Sequence, residues 1–320
     1  MAGFDYGAFF GPILPLADAT RQDDERVWGD GAETDKRSHD YVLYLGCNVL
    51  RTVALAETIV ALLERLGVDF VPLGGPATCC GVIHHTNGAP EISENLTRQT
   101  LSKFEGYAPK AVLTYCPSCH AHMNYALDAG GIEFDVPYLH VTEFIVENLH
   151  RLDFANRVER KVYLHVHGGA EQSDRDARFA RTILEAIPGL EVVGGTAVDG
   201  WAHDCSTGQI AKIGADRQAG YADGLFADAT AHGVDAVAAL YHSCYRTLCT
   251  GIADYGVDVI HYTGLVAEAL GLPVRDEDFE RHKLRADPDV SFAELKDRAA
   301  ARGVGEKRLR ATLDSQFRPK

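Results

Sequence analysis

The chain has 320 residues, 31 of them basic and 46 acidic, for a net charge of −15 at neutral pH. That excess of negative charge argues against nucleic acid or an anionic membrane as the main partner. With 46% hydrophobic and 24% charged residues the composition is globular, and the length suits two domains or one large α/β unit. The opening stretch MAGFDYGAFFGPILPLA lacks a basic region, and Asp5, Pro12 and Pro15 interrupt its apolar run, so it is unlike a signal peptide. No apolar run is long enough to span a bilayer. A cytoplasmic location is therefore expected, where clustered cysteines more often mean metal or redox chemistry than structural disulfides.

Residues 1–40 are polar, Asp-rich and poor in periodicity, and are expected to form an N-terminal arm. From residue 41 the pattern is regular. YVLYLGCN has the length and composition of a buried strand, and TVALAETIVALLERLG follows with helical spacing until Gly67. VDFVPLGG is a second strand candidate, leading to the loop PATCCG. APEISENLTRQTLSKFEGY is a second helix, and KAVLTYC a third strand that runs into Cys116, with Pro117 stiffening the loop beyond it. This alternation implies right-handed crossovers and a parallel sheet.

The second half repeats the order: KVYLHVHGG, the helix DARFARTILEAIPG, the strand LEVVGG, the loop WAHDCSTG, the helix DRQAGYADGLFADATAHG and the strand VDAVAALYHSC. Each half closes on a strand that carries a histidine, His140 or His261, and leads through a threonine into a helix. A duplication accounts for this self-similarity. The expected organisation is an arm over 1–40, a first α/β domain over 41–155, a second over 156–272, and a linker with a helical tail over 273–320. In that tail Ser291 and Glu294 are spaced as a capping box.

Five cysteines of the first half, Cys47, Cys79, Cys80, Cys116 and Cys119, fall at the carboxyl ends of predicted strands or in the loops that follow. Open α/β sheets gather their ligands there. Thiolates brought together at one point repel unless a cation neutralises them, and a metal also removes their protons. Five thiols exceed the four ligands of a zinc site and the four of a cubane cluster. They suit a cluster in which a cysteine sulfur bridges two irons. Gly46 and Gly81 give the backbone room to turn beside the site.

The pattern Cys-x31-Cys-Cys-Gly-x34-Cys-Pro-x-Cys resembles the cysteine-rich CCG domain. That domain is duplicated in the B-type subunit of heterodisulfide reductase and present in iron–sulfur subunits of lactate and glycolate oxidases, anaerobic glycerol-3-phosphate dehydrogenase and some succinate dehydrogenases. The resemblance covers about residues 41–270 and implies two tandem, pseudo-symmetric Rossmann-like domains. It implies that Cys47, Cys79, Cys80, Cys116 and Cys119 bind a non-cubane [4Fe–4S] cluster, with Cys79 and Cys80 carrying the chemistry on the cluster. His84, His85 and His120 follow these cysteines closely and are expected around the cluster rather than on it. The function implied is that of an iron–sulfur subunit acting on disulfide or sulfane sulfur. Its partners would be ferredoxin-like and flavin-containing subunits and a lipoate-binding sulfur carrier. Two alternatives stand beside it: an electron-relay subunit of a flavin-dependent lactate, glycolate or succinate dehydrogenase, and a zinc-stabilised protein without catalysis.

The second motif departs from the pattern. In the repeat alignment His167 takes the place of Cys47, Asp204 that of Cys79, Cys205 that of Cys80, Ser206 that of Gly81 and His242 that of Cys116; Cys244 lies one residue short of Cys119. A second five-thiolate cluster is impossible. Three readings stay open: a relic without metal, zinc held by some of His167, Cys205, His242 and Cys244, or a small iron–sulfur centre with histidine ligation.

Overall fold

The computed structural model describes residues 4–28, 37–129, 131–167, 170–195, 205 and 213–318. Contacts divide the chain into two compact units: residues 1–141 with 277–320, and residues 142–276. The sequence pattern alone places the boundaries at 155 and 272.

In the first unit four parallel strands, β1 (Tyr41–Gly46), β2 (Phe70–Gly74), β3 (Ala111–Thr114) and β4 (Tyr138–His140), pair in the order β2-β1-β3-β4. β1 and β3 are central and almost entirely buried, which is why both are continuous apolar runs rather than alternating ones. The second unit repeats this plan with β5 (Arg160–His165), β6 (Leu190–Gly194), β7 (Ala236–Ala239) and β8 (Asp258–His261), in the order β6-β5-β7-β8. Both sheets are parallel and both reverse strand order beside their first strand, as the duplication requires.

Residues 4–28, within the segment expected as an N-terminal arm, pack onto the first unit. They fold into two short helices, α1 (Tyr6–Phe10) and α2 (Ile13–Thr20). On α2 the side chains of Ile13, Leu16 and Ala19 are fully buried. α2 packs on the turn after β1 and on two C-terminal helices of the same unit, Pro288–Ala301 and Glu306–Phe317. The Arg302 guanidinium ties the end of α2 by donating to the Asp18 carbonyl at 2.8 Å. Few and short apolar stretches broken by Gly11, Pro12 and Pro15 hide these helices in the sequence, and their stability comes from packing rather than propensity.

The capping box is also corrected. The helix begins at Pro288, and Asp287 caps it by accepting from the Asp289 and Val290 amides at 3.0 and 3.1 Å. Asp followed by Pro at the first helical position is the stronger start signal. Ser291 is fully buried inside the helix and bonds His282 Nδ1 at 2.9 Å, while Glu294 pairs with Arg281 and Arg285.

Candidate functional sites

β1 ends at Gly46, so Cys47 is the first residue beyond the carboxyl edge of the sheet. Cys79 and Cys80 follow the single turn of tight helix after β2. β3 ends at Thr114, and a helix begins at Pro117, so Cys116 lies in the connection and Cys119 in the first helical turn. Pro117 therefore opens a helix rather than stiffening a loop. Its fixed φ and missing amide cost nothing at that position.

The structure brings all five cysteines together. Each is at most 6% exposed. Sulfur contacts run from Cys47 to Cys79, Cys79 to Cys80, Cys80 to Cys119 and Cys119 to Cys116. Hydrogen bonds from its neighbours Cys47 and Cys80 pull the Cys79 thiol down to about 3, whereas the Cys79 contact and burial push Cys47 well up. Cys119 is likewise raised by contacts with Cys116 and Cys80 and by burial. Among Cys47, Cys79, Cys80 and Cys119, then, the Cys79 thiolate is stabilised and the other three thiols are raised; a cationic group lets such a set ionise together.

The backbone is shaped to that crowding. Gly46 sits at φ +76°, and a Cβ there would lie 2.8 Å from Cys119 Sγ and 3.3 Å from Cys116 Cβ. Gly81 sits at φ +92°, and its Cβ would strike the Ser93 carbonyl oxygen at 2.5 Å. Neither position tolerates a side chain. The Gly81 amide donates to Cys79 Sγ at 3.4 Å. The helix over Pro90–Glu105 holds the double-cysteine loop from behind, with Thr97 and Thr100 hydroxyls donating to the Cys80 and Cys79 carbonyls at 2.7 and 2.9 Å. Tyr44 donates to the Thr78 carbonyl at 2.7 Å. Burial, together with Cys119 and Cys80, drives the Tyr138 phenol well above its ordinary value. Its buried hydroxyl has no hydrogen-bond partner among the described residues. Five buried sulfurs, a cradle that a Cβ would fill and an orphaned hydroxyl in their neighbourhood fit an iron–sulfur or metal site.

The three histidines near the cysteines have partners of their own. His84 stacks on Tyr6 (4.5 Å, 8° between planes) and on Phe10, so α1 covers this side of the site. His85 lies against His122 and Tyr125. His120 is within hydrogen-bond distance of the Thr114 hydroxyl, 2.9 Å from Nδ1. His122, three residues beyond Cys119, lies within reach of the Ser93 and Thr97 hydroxyls at 3.2 and 3.3 Å.

In the second unit the strand register revises the repeat alignment. Tyr44, Thr114 and His140 share one row of the first sheet, and His165, Ala239 and His261 share the corresponding row of the second. Counted from those rows, Cys244 matches Cys119, Tyr241 matches Cys116 and His242 matches Pro117. Both helices, Pro117–Ala129 and His242–Leu248, carry the cysteine as their third residue. The alignment made from the sequence is thus off by one residue at this loop. On β5, His165 matches Tyr44 and His167 matches Gly46. Asp204 and Ser206 lie outside the described residues.

His167, Cys205 and Cys244 converge, and the fourth member is His165, not His242. One donor atom from each of these four buried residues lies within 4.8 Å of the other three. Cys205 Sγ is 3.5 Å from His165 Nε2, and Cys244 Sγ is 3.0 Å from His167 Nε2. Burial raises the Cys244 thiol, but Cys205 and the two imidazoles outweigh it and hold the group well below its ordinary value. His242 is outside this set; burial, with Arg246 and His261 nearby, depresses it to about 3. The missed member has a signal in the sequence: His165-Val-His167 at the end of a strand places alternate side chains on one face.

A parallel sheet that gathers buried thiols at its carboxyl edge defines a cysteine-rich α/β protein, and comparison with known proteins agrees. Residues 41–124 match the family model described as "CCG: Cysteine-rich domain", so the resemblance carried by the motif holds. The chain is 28% identical over 248 residues to a subunit of the dihydromethanophenazine:CoB--CoM heterodisulfide reductase of Methanosarcina mazei, covering 74% of this chain and 60% of that one. It is 24% identical over 264 residues to the protein of the same name from Methanosarcina barkeri, covering 78% and 64%. Over 116 residues it is 29% identical to "EtfAB:quinone oxidoreductase" of Syntrophomonas wolfei, covering 35% and 16%. The chain thus spans about three fifths of the length of the heterodisulfide reductase subunits it matches. No helix among the described residues is long and apolar enough to cross a membrane.

Proposed function

We propose that this chain is an iron–sulfur subunit of a heterodisulfide-reductase-like complex, acting on disulfide or sulfane sulfur. The observation that carries this reading is the continuous run of five buried sulfurs around Gly46, in a space that admits no Cβ. Cys47, Cys79, Cys80, Cys116 and Cys119 would hold a non-cubane [4Fe–4S] cluster, with Cys79 and Cys80 carrying the chemistry on it. Bound there, the cluster supplies one-electron steps at iron and a site for sulfur. The chain's own part is to exclude water from the thiolates, to fix the double-cysteine loop through Thr97 and Thr100, and to offer the Tyr138 hydroxyl as a donor.

Electrons must reach this site from elsewhere, so ferredoxin-like and flavin-containing subunits are its partners, with a lipoate-type sulfur carrier as a source of substrate. The match to an EtfAB:quinone oxidoreductase supports a second reading, electron relay in a flavin-dependent dehydrogenase complex. Anaerobic turnover assays decide between them. Disulfide-dependent oxidation of a reduced carrier should appear only when partner subunits are added, and Cys80→Ser should abolish it. Turnover of a hydroxyacid donor with no response to disulfide supports the relay instead, and full activity from the isolated polypeptide contradicts both.

A further inference from the structure

The four donors of the second unit are arranged for a different ion, independently of what the first unit holds. Their spacing sets the size of the group they can bind. With metal–sulfur bonds of about 2.3 Å and metal–nitrogen bonds of about 2.0–2.1 Å, the donors of one tetrahedral ion stand about 3.4–3.8 Å apart. His165 Nε2 to Cys205 Sγ at 3.5 Å is already such an edge, and all four donors fall within 4.8 Å of one another. A two-iron centre divides its four protein ligands between two metal ions, so donors at its opposite ends stand further apart than one tetrahedron allows. One metal ion is all this set can surround.

The donor types narrow the ion further. Two imidazoles and two thiols in a tetrahedron suit zinc. All four residues are at most 4% exposed, and four protein donors complete the coordination shell, leaving no position open for water or substrate. The arrangement is that of a closed, structural site. Its ligands come from three separate parts of the unit: the end of β5, the segment at Cys205, and the helix over His242–Leu248. Their surroundings orient them. His167 packs edge-on to Tyr241, whose hydroxyl donates to Asp176 at 2.9 Å. Thr247 on the same helix donates to the Cys205 carbonyl at 2.7 Å.

We infer that His165, His167, Cys205 and Cys244 form a closed mononuclear zinc site that holds the carboxyl edge of the second sheet together. The degenerate half of the duplication has exchanged a cluster site for a structural ion. Because the unfolded chain has no preformed site, zinc binding there contributes to folding directly.

The test uses the full chain, purified anaerobically from cells grown with zinc. About one zinc per chain should survive dialysis against a mild chelator. Cobalt(II) added to zinc-stripped protein should produce the intense visible bands of tetrahedral thiolate coordination. Cys205→Ser and Cys244→Ser should each lose the ion and the cobalt bands and lower the melting temperature. Cys249→Ser and His242→Gln, both outside the set, should keep both signals. His165→Cys should retain zinc, since a thiolate can replace the imidazole, and this variant guards against reading simple misfolding as metal loss. A folded wild-type chain that binds neither zinc nor cobalt overturns the inference. So does a zinc content that the Cys205→Ser/Cys244→Ser double variant leaves equal to wild type, or iron with labile sulfide that the double variant loses in place of zinc. Reading the ion as the difference between wild type and the Cys205→Ser/Cys244→Ser double variant separates these outcomes from whatever metal the first unit holds.

Discussion

Replacing Gly46 by alanine isolates what the five-cysteine pocket demands of its backbone. Two penalties are expected. A non-glycine residue at φ +76° costs about 1–2 kcal/mol. The added methyl also lies 2.8 Å from Cys119 Sγ and 3.3 Å from Cys116 Cβ, and overpacking of that kind costs about 1–3 kcal/mol. The sum is about 2–5 kcal/mol. Gly67→Ala is the control: Gly67 has φ +64° and nothing within 4 Å of its Cβ position, so only the first penalty of about 1–2 kcal/mol applies. Urea unfolding of both variants, reduced and metal-free, gives the two figures, and their difference is the steric contribution of the cysteine pocket. Iron retained by each variant after anaerobic preparation reports whether Cys119 has been displaced. If Gly46→Ala is no less stable than Gly67→Ala and keeps its iron, the pocket is looser than described, and the claim that it is built around the sulfurs fails.

Leu16 is fully buried on α2, and Leu16→Ala should cost about 2–5 kcal/mol in urea unfolding; a loss under about 0.5 kcal/mol would return this segment to the status of an arm. Asp287→Ala removes the cap of the helix over Pro288–Ala301 and should cost about 1 kcal/mol. His282 is fully buried, and burial, with Arg281 beside it, depresses it to about 4 from an ordinary 6.5. Between those values the unfolded chain binds the extra proton. Stability contributed by the neutral imidazole is therefore complete above pH 6.5 and lost as the pH falls towards 4. His282→Gln should flatten the fall in melting temperature across that window, and parallel losses in the two proteins would assign the slope to other groups.

Much of this molecule was legible because its signals are local. The buried central strands are unbroken apolar runs, the long helices are periodic, and the duplication made each half a check on the other. The five cysteines were legible because parallel sheets deliver the ends of all their strands to one edge, so residues 47, 79, 80, 116 and 119 had to meet. What escaped depended on register and packing. Whether Cys244 matches Cys119 turns on a single residue of strand pairing, which the ladders through Thr114 and Ala239 settle. His165 escaped because it lies within an apolar strand, where a histidine looks like one more buried side chain. Residues 4–28 and the helix opening at Pro117 escaped because short segments holding glycine or proline carry little periodicity. The Ser291–Glu294 spacing matched a cap, but Asp287–Pro288 competes for the same helix start and is the better one.

The metal content of the first site bears most directly on the proposed redox role. Full-length protein prepared without oxygen should contain about four irons and four acid-labile sulfides per chain. It should also give a paramagnetic signal on oxidation or reduction that Cys79→Ser or Cys116→Ser abolishes or reshapes, while Cys244→Ser leaves it unchanged. Absence of labile sulfide, with zinc that is lost in Cys79→Ser and Cys116→Ser, would show that the five cysteines hold an ordinary zinc ion. It would contradict the redox role proposed for the chain.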